Sequence, residues 1–260
     1  MFGFLVSVYN IVFYQPLLNG LVFLIDVMPM HDIGLAVILL TIIVKFIIFP
    51  FQHRSIITQR KMRELAPELK RVKEKYKKDS QMQAKKTMEI YREHGINPLS
   101  GFLILLIQLP LFIALYKIFM GGVNFDSSII YPFISVPQNI NIHFLGFFDM
   151  TQRSYFWAAL AGISQFFQMK LSIPVPEKTS ESQKTFKDDL ARSMGVQARY
   201  IMPAFVFFIA LKFSSAMALY WTTMNIFAIV HESVVKKKAE KITRTTQKNG
   251  ETTGNNKITD

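Results

Sequence analysis

Residues 37–51, VILLTIIVKFIIFPF, have the apolar length and β-branched richness of a membrane-spanning helix, yet a cation, Lys45, stands inside them with no acidic neighbour in sequence. A charged side chain deep in hydrocarbon costs about 3 kcal/mol on insertion scales. Lys45 lies 12 residues into the apolar run that starts at residue 33, roughly 18 Å along a helix axis and past the bilayer midplane. Thr41 lies one turn earlier on the same face. Either the lysine snorkels inward along its own apolar stem, or it meets water between helices. No other clear span offers a carboxylate before Glu232, near the end of the last one, so water is the better solution.

Composition sets the solvent around that helix. Half of the 260 residues are hydrophobic and 24 are Phe, while the net charge is +12. Apolar and basic residues must therefore be segregated along the chain, as in an all-α polytopic membrane protein. The absence of cysteine excludes a disulfide framework, a thiolate metal site and a cysteine-borne lipid anchor. The opening MFGFLVSVYN has no Lys or Arg before its apolar run, so a cleaved secretory signal is not expected.

Crossing a hydrocarbon core of about 30 Å takes roughly 20 apolar residues. Runs at 33–53, 99–120 and 154–173 meet that length, and 199–235 is too long for one crossing. The last run reads as a helical hairpin, 199–213 and 216–235, turning at Lys212-Phe213-Ser214-Ser215, which gives five spans. Asn10, Gln15, Pro16, Asn19 and Asp26 interrupt the apolar stretch before them, so residues 1–30 are expected as an interfacial amphipathic helix broken near Pro16. A sixth span is the other reading.

Charge sets the orientation. Residues 54–98 hold 13 Lys and Arg against 6 acids, residues 121–153 one Arg against two Asp, and the tail 236–260 seven basic residues against three acids. The positive-inside rule places 54–98, about 174–198 and the tail in the cytoplasm, with 121–153 and the N-terminus outside. The stretch 57–95 is expected as a cytoplasmic helical hairpin. Pro67 suits a first helical turn. Leu69, Val72 and Tyr76 make one apolar stripe, Ala84, Met88 and Tyr91 a second, and Glu74 with Lys78 a favourable i,i+4 pair; Gly95 and Pro98 stop the second helix.

The remaining polar residues inside spans are Gln108, Gln165, Gln168, Tyr220, Trp221, Thr222, Thr223 and Asn225. Each can hydrogen-bond between helices or meet a substrate. A zinc-protease reading fails because His231-Glu232 is followed by Ser233, Val234 and Val235, and neither a nucleophile elbow nor a P-loop occurs. A small polytopic channel or transporter is the alternative, although no inverted repeat or pair of glycine-interrupted helices supports it.

Four segments together carry a resemblance: GLAVILLTIIVKFIIFPFQHRSIITQRKMRELAPELKRVKEKYKKD, INPLSGFLILLIQLPLFIALY, SQFFQMKLS and SSAMALYWTTMN. In this order, from about residue 4 to 235, the chain resembles the YidC/Oxa/Alb membrane protein insertases, in a short form without a large periplasmic domain. The resemblance implies a core at 31–235 of five spans with the cytoplasmic hairpin and an N-terminal interfacial helix, in the bacterial inner membrane. It implies no enzyme activity and no cofactor. It also implies a hydrophilic groove, open to the cytoplasm and to lipid, whose floor carries one basic residue. Lys45 occupies that position, with Thr41, Gln108, Gln165, Gln168, Tyr220, Trp221, Thr223 and Asn225 as the expected groove residues. Pro67, Leu69, Val72, Tyr76, Met88 and Tyr91 belong to the hairpin that would recruit substrates. The implied partners are nascent membrane proteins, with the ribosome and the Sec translocon beside them, and no DNA. The tail reads equally as an anchor at anionic lipid or as a contact for ribosomal RNA. The chain departs from the family pattern in having Lys45 for the usual arginine, Ser214 for a proline, and no proline after NPLSG.

Overall fold

The structure is a computed structural model and describes residues 2–121, 125, 128–172 and 186–255. The chain divides into two compact units, residues 1–27 with 43–138, and 28–42 with 139–260. The described residues are mostly α-helical.

In the first unit, α1 (Phe2–Tyr9) leads through a π-turn, Asn10–Tyr14, into α2 (Gln15–Val27). The break expected at Pro16 does not occur. The Gln15 N–H bonds back to the Asn10 carbonyl, five residues earlier, and Pro16 falls in the first turn of α2, where a missing N–H costs little. Residues 3–27 thus form one helical run, long and apolar enough to cross a bilayer. Its second half is buried along Leu18, Leu21, Val22 and Ile25, whereas Phe4, Leu5, Ile11 and Val12 are exposed. Asn19, fully buried, donates to the Gln15 carbonyl at 2.9 Å and the Ile129 carbonyl at 3.0 Å and accepts from the Tyr131 N–H at 2.6 Å. Helix α6 (Ser100–Met120) packs on this run, with the Lys117 ammonium 5.0 Å from the Tyr9 ring centre.

Helix α3 (Ile33–Glu64) continues well past the expected end of its span at 53; its first ten residues belong to the second unit and the rest to the first. Then come α4 (Ala66–Lys75) and α5 (Ser80–Glu93), which pack on each other. Pro67 does sit in the first turn of α4, and Asp79 caps α5 by accepting from the Met82 N–H at 2.9 Å. The stop at Gly95 is a Schellman motif: Gly95, at φ +62°, donates to Arg92 O, and the buried Ile96 donates to Tyr91 O.

Two features of the expected hairpin differ. Leu69 is buried and Val72 and Tyr76 half-buried, as expected, but Met88 is 58% exposed and Ala84 is exposed, while Ile90 is buried. The inward stripe of α5 therefore runs through Gln83, Thr87 and Ile90, with Tyr91 at its edge. The sequence carries two overlapping stripes one residue apart, and the larger β-branched Ile90 takes the seam. The Glu74–Lys78 pair has no helix to form on, since α4 ends at Lys75. Helix α5 does carry an ion pair, Lys86–Glu89, 2.5 Å apart. Their hydrogen bond raises the Lys86 pKa and lowers that of Glu89; at the surface such a pair adds little stability.

In the second unit a short hairpin, β1 (His143–Phe144) with β2 (Phe148–Asp149), precedes α7 (Tyr155–Ser172), α8 (Phe186–Ala210) and α9 (Ser215–Asn255). Two-residue strands leave no periodicity to read in sequence. Phe144, Phe148 and Phe156 surround Trp157 with ring centres 5.3–5.7 Å away. Asp149 accepts from the Thr151 N–H and hydroxyl and from the Gln152 N–H. Its burial works to raise its pKa, but these donors, aided by His143, outweigh that and hold it below the usual value.

The turn between α8 and α9 falls at 211–214, one residue before the expected 212–215. Helix α9 does not end at 235 but runs on through the basic segment to Asn255, whose Lys, Ala and Glu residues are good helix formers. Helix α8 begins at Phe186, inside the stretch of about 174–198 expected in the cytoplasm, and residues 173–185 lie outside the described residues.

Helix α7 packs on both α8 and α9. At Gly162 an added Cβ would stand 3.1 Å from the Phe207 Cβ and 3.2 Å from the Pro203 carbonyl oxygen. Gly162→Leu is therefore expected to pry α7 from α8 and cost about 1–3 kcal/mol, the usual range for overpacking. Thermal unfolding in detergent micelles checks this; an unchanged midpoint would show that the contact has room to relax.

Candidate functional site

Polar side chains inside apolar helices need partners, and each of the two units supplies its own. In the first unit Lys45 is 5% exposed, and its ammonium donates to the Gln108 Oε1 at 3.3 Å. The partner is a neutral amide from α6. Thr41, in the part of α3 that belongs to the second unit, is also buried and donates its hydroxyl to its own helix, to the Val37 carbonyl at 2.6 Å.

In the second unit a one-way ladder of donors joins α7 to α9. The Trp221 indole donates to Gln165 Oε1 at 3.1 Å, the Gln165 amide to Gln168 Oε1 at 3.3 Å, and the Gln168 amide to the Ser172 hydroxyl at 2.9 Å. Ser172 in turn donates to the Glu232 carboxylate. The register follows from sequence: Gln165, Gln168 and Ser172 repeat at three and four residues, so they share one face of α7. A terminal carboxylate accepts without donating, which orients every amide in the row. Beside it Asn225 donates to the buried Ser164 hydroxyl at 3.0 Å.

Lys45 meets Gln108, and Gln165, Gln168 and Trp221 form a ladder, with Asn225 beside it. Tyr220 is almost fully buried, as a core residue is, and the Thr223 hydroxyl donates to its own helix at Leu219 O.

Sequence reasoning missed Ser164, Ser172 and the end role of Glu232. The i,i+3/i+4 extension of the glutamine face through Ser172 was the available signal. It also missed Asp32, fully buried, which accepts from the N–H groups of Gly34 at 2.7 Å, Leu35 at 3.1 Å and Leu145 at 2.8 Å. An Asp just before the first apolar residue of a helix is an N-cap signal. Among the described residues no group of three or more His, Asp or Glu could hold a metal.

Residues 24–242 match the sequence profile of the family described as 60Kd inner membrane protein. The chain is 37% identical over 202 residues to the membrane protein insertase YidC of Francisella philomiragia subsp. philomiragia, and 36% identical over 202 residues to that of Francisella tularensis subsp. novicida. Each alignment covers 78% of this chain and 32% of the relative, so the chain spans about a third of the length of these curated relatives.

Proposed function

The chain belongs to the 60Kd inner membrane protein family, that of the YidC insertases, and from that premise we propose that it is a membrane protein insertase and chaperone, acting on nascent membrane proteins in the bacterial inner membrane. The observation that carries the proposal is Lys45, a buried cation in an apolar helix whose hydrogen-bond acceptor is the neutral Gln108 amide. A structural salt bridge would have a carboxylate there. A cation held by an amide is ready to exchange it for an incoming carboxylate, such as one in the polar external tail of a substrate. The substrate's apolar segment then enters lipid, driven by burial worth about 25 cal/mol per Å² and by the membrane potential acting on acidic tails. No covalent step or cofactor is involved.

The proposal includes five crossings, by α3, α6, α7, the second part of α8 and the first part of α9, with α4 and α5 and the basic end of α9 in the cytoplasm. Helices Ile33–Glu64, Leu106–Met120 and Arg199–Ala210 are the apolar stretches that support it within those elements. Residues 2–27 are assigned to the outer interface. Tyr9 meets Lys117, three residues from the outer end of α6, and Asn19 is tied to the 129–131 loop. These two anchors, ten residues apart or about 15 Å along the helix, both belong to the outer side, which favours a helix lying along the interface.

The test is purified protein in liposomes, scored by protease protection of a single-span substrate with a short acidic external tail. Insertion well above empty liposomes is expected; equality with them, in correctly oriented and folded protein, overturns the proposal. The basic end of α9 is assigned to contact with ribosomal RNA, and cosedimentation with ribosomes is expected to fall steeply as salt rises. Absence of cosedimentation at low salt leaves that segment as a lipid-facing anchor.

A further inference from the structure

The turn of the β1–β2 hairpin reads FLGFF from 144 to 148, without a charged or hydrogen-bonding side chain. Phe144 points inward and packs on Gly34, where an added Cβ would collide with its ring. The residues after it point the other way: Leu145 is 54% and Phe147 85% exposed. Leu145 also lies in the left-handed region, at φ +53°, beside Gly146 at φ +80°. A turn in water takes Asn, Asp or Gly at such a position, where a short polar side chain or none relieves the strain. A leucine held there with its side chain outward has no such reason in water, but it has one beside an apolar partner.

Three helix starts hold this turn at one level. The Leu145 N–H donates to Asp32 at the start of α3 at 2.8 Å. The Phe148 ring stacks on Phe156, in the first turn of α7, with centres 5.1 Å apart. At the start of α9 the Ser215 and Ala216 N–H groups donate to the carbonyls of Gln152 and Met150 at 2.7 and 2.9 Å. The stacked pair also joins the turn to the outer face of α7. Phe156, Ile163 and Phe167 are all exposed, and spacings of seven and four residues put them on one side of that helix. The apolar surface of α7 is thus prolonged past its first turn, through Phe156 and Phe148, to the hairpin tip. A docking protein would meet the tip alone, whereas lipid covers the stripe that the tip extends.

We propose that the tip of the β1–β2 hairpin, Leu145 and Phe147, inserts into the outer leaflet of the bilayer, with phospholipid acyl chains as its partner. Tyr155 and Trp157, in the first turn of α7, mark the same level, since such rings concentrate at membrane–water interfaces. The inserted tip fixes the depth of the joint that ties the three helix starts together. The proposal rests on the reading that α3, α7 and α9 cross the membrane with their starts outside.

Because the chain has no cysteine, single nitroxide labels are carried by Leu145→Cys and Phe147→Cys variants of the full chain. Each is reconstituted in liposomes of phosphatidylethanolamine and phosphatidylglycerol with no other protein, and depth is read from collisions with oxygen against a water-soluble nickel chelate. Both labels should lie about 5–10 Å below the phosphates, the depth of interfacial apolar side chains; two positions keep the test open should one variant misfold. Labels at or above the phosphates overturn the proposal. Ile163→Cys, about 10 Å further along α7 than Phe156, separates this failure from that of the crossing reading. A deep label at 163 with the tip in water overturns the inserted tip alone, and a label at 163 in water overturns both. A tip exposed in liposomes but protected in native membranes has a protein partner, which also overturns lipid as the occupant. The leaflet is read with Arg153→Cys, exposed beside the hairpin, which should take a membrane-impermeant maleimide from outside right-side-out vesicles. Labelling only after the vesicles are opened overturns the outer-leaflet assignment.

Discussion

Lys45→Ala is expected to reduce insertion of an acidic-tailed substrate about tenfold or more, while Lys45→Arg retains most of it. Hydrogen bonds to charged groups are worth about 1.5–3 kcal/mol, and about 1.4 kcal/mol is a factor of ten. The same substitution should leave folding stability equal or higher. Lys45 is 5% exposed and answered by an amide, and a buried charge without an ionic partner costs the folded state. Loss of function with unimpaired stability is the signature of a residue retained for its work on a substrate. A substrate whose tail carboxylates are changed to amides should insert equally poorly with either protein, because the attraction has lost its second partner. The four rates form a cycle whose coupling belongs to the Lys45–carboxylate contact alone. Equal insertion of the acidic substrate by wild type and Lys45→Ala removes Lys45 from the mechanism and leaves the insertase reading to stand on other residues.

Helix positions in this chain were legible wherever apolar length or cap chemistry spoke alone. The helix holding Lys45, the turn at 211–214, the Pro67 start and the Gly95 stop all follow from residues that permit few alternatives. Where two local rules competed, the residues alone did not say which would win. Pro16 reads as a breaker, but the π-turn before it moved the proline into a first turn. Met88 and Ile90 belong to overlapping stripes, and packing selected Ile90. The basic residues after 235 read as a tail because charge is the louder signal there, yet their helix propensity carries α9 onward. For the candidate site, residue type and depth singled out Lys45, Gln108, Gln165 and Trp221, but not which of them would pair. A hydrogen bond across 56 residues, as between Trp221 and Gln165, depends on helix rotation, which a single sequence leaves free within tens of degrees. Hydroxyls such as Ser164 and Ser172 were overlooked because serine is common in helices without partners.

Asp32→Ala is expected to cost about 3 kcal/mol or more, the largest stability effect of any single side chain considered. Its two carboxylate oxygens do different work. One accepts from Gly34 and Leu35, capping the first turn of α3, and the other accepts from Leu145 in the β1–β2 turn, where the backbone is left-handed at φ +53°. Loss of a cap alone costs about 1 kcal/mol, the carboxylate also loses its favourable place at the positive end of the helix dipole, and the buried Gly34 N–H left unanswered adds about 1–3 kcal/mol. Asp32 is fully buried, so water is poorly placed to substitute. Asp32→Asn discriminates between the contributions. It keeps one acceptor oxygen, enough for the helix cap or for Leu145 but not both, and should fall between wild type and Asp32→Ala. Hydrogen exchange locates the damage: in Asp32→Asn, if the cap retains the oxygen, the Leu145 amide should exchange faster while those of Gly34 and Leu35 stay protected. Chemical unfolding in micelles gives the total. An Asp32→Ala midpoint indistinguishable from wild type would mean that the three N–H groups find other acceptors, and that the joint between the start of α3 and the hairpin at 143–149 is held by its aromatic packing alone.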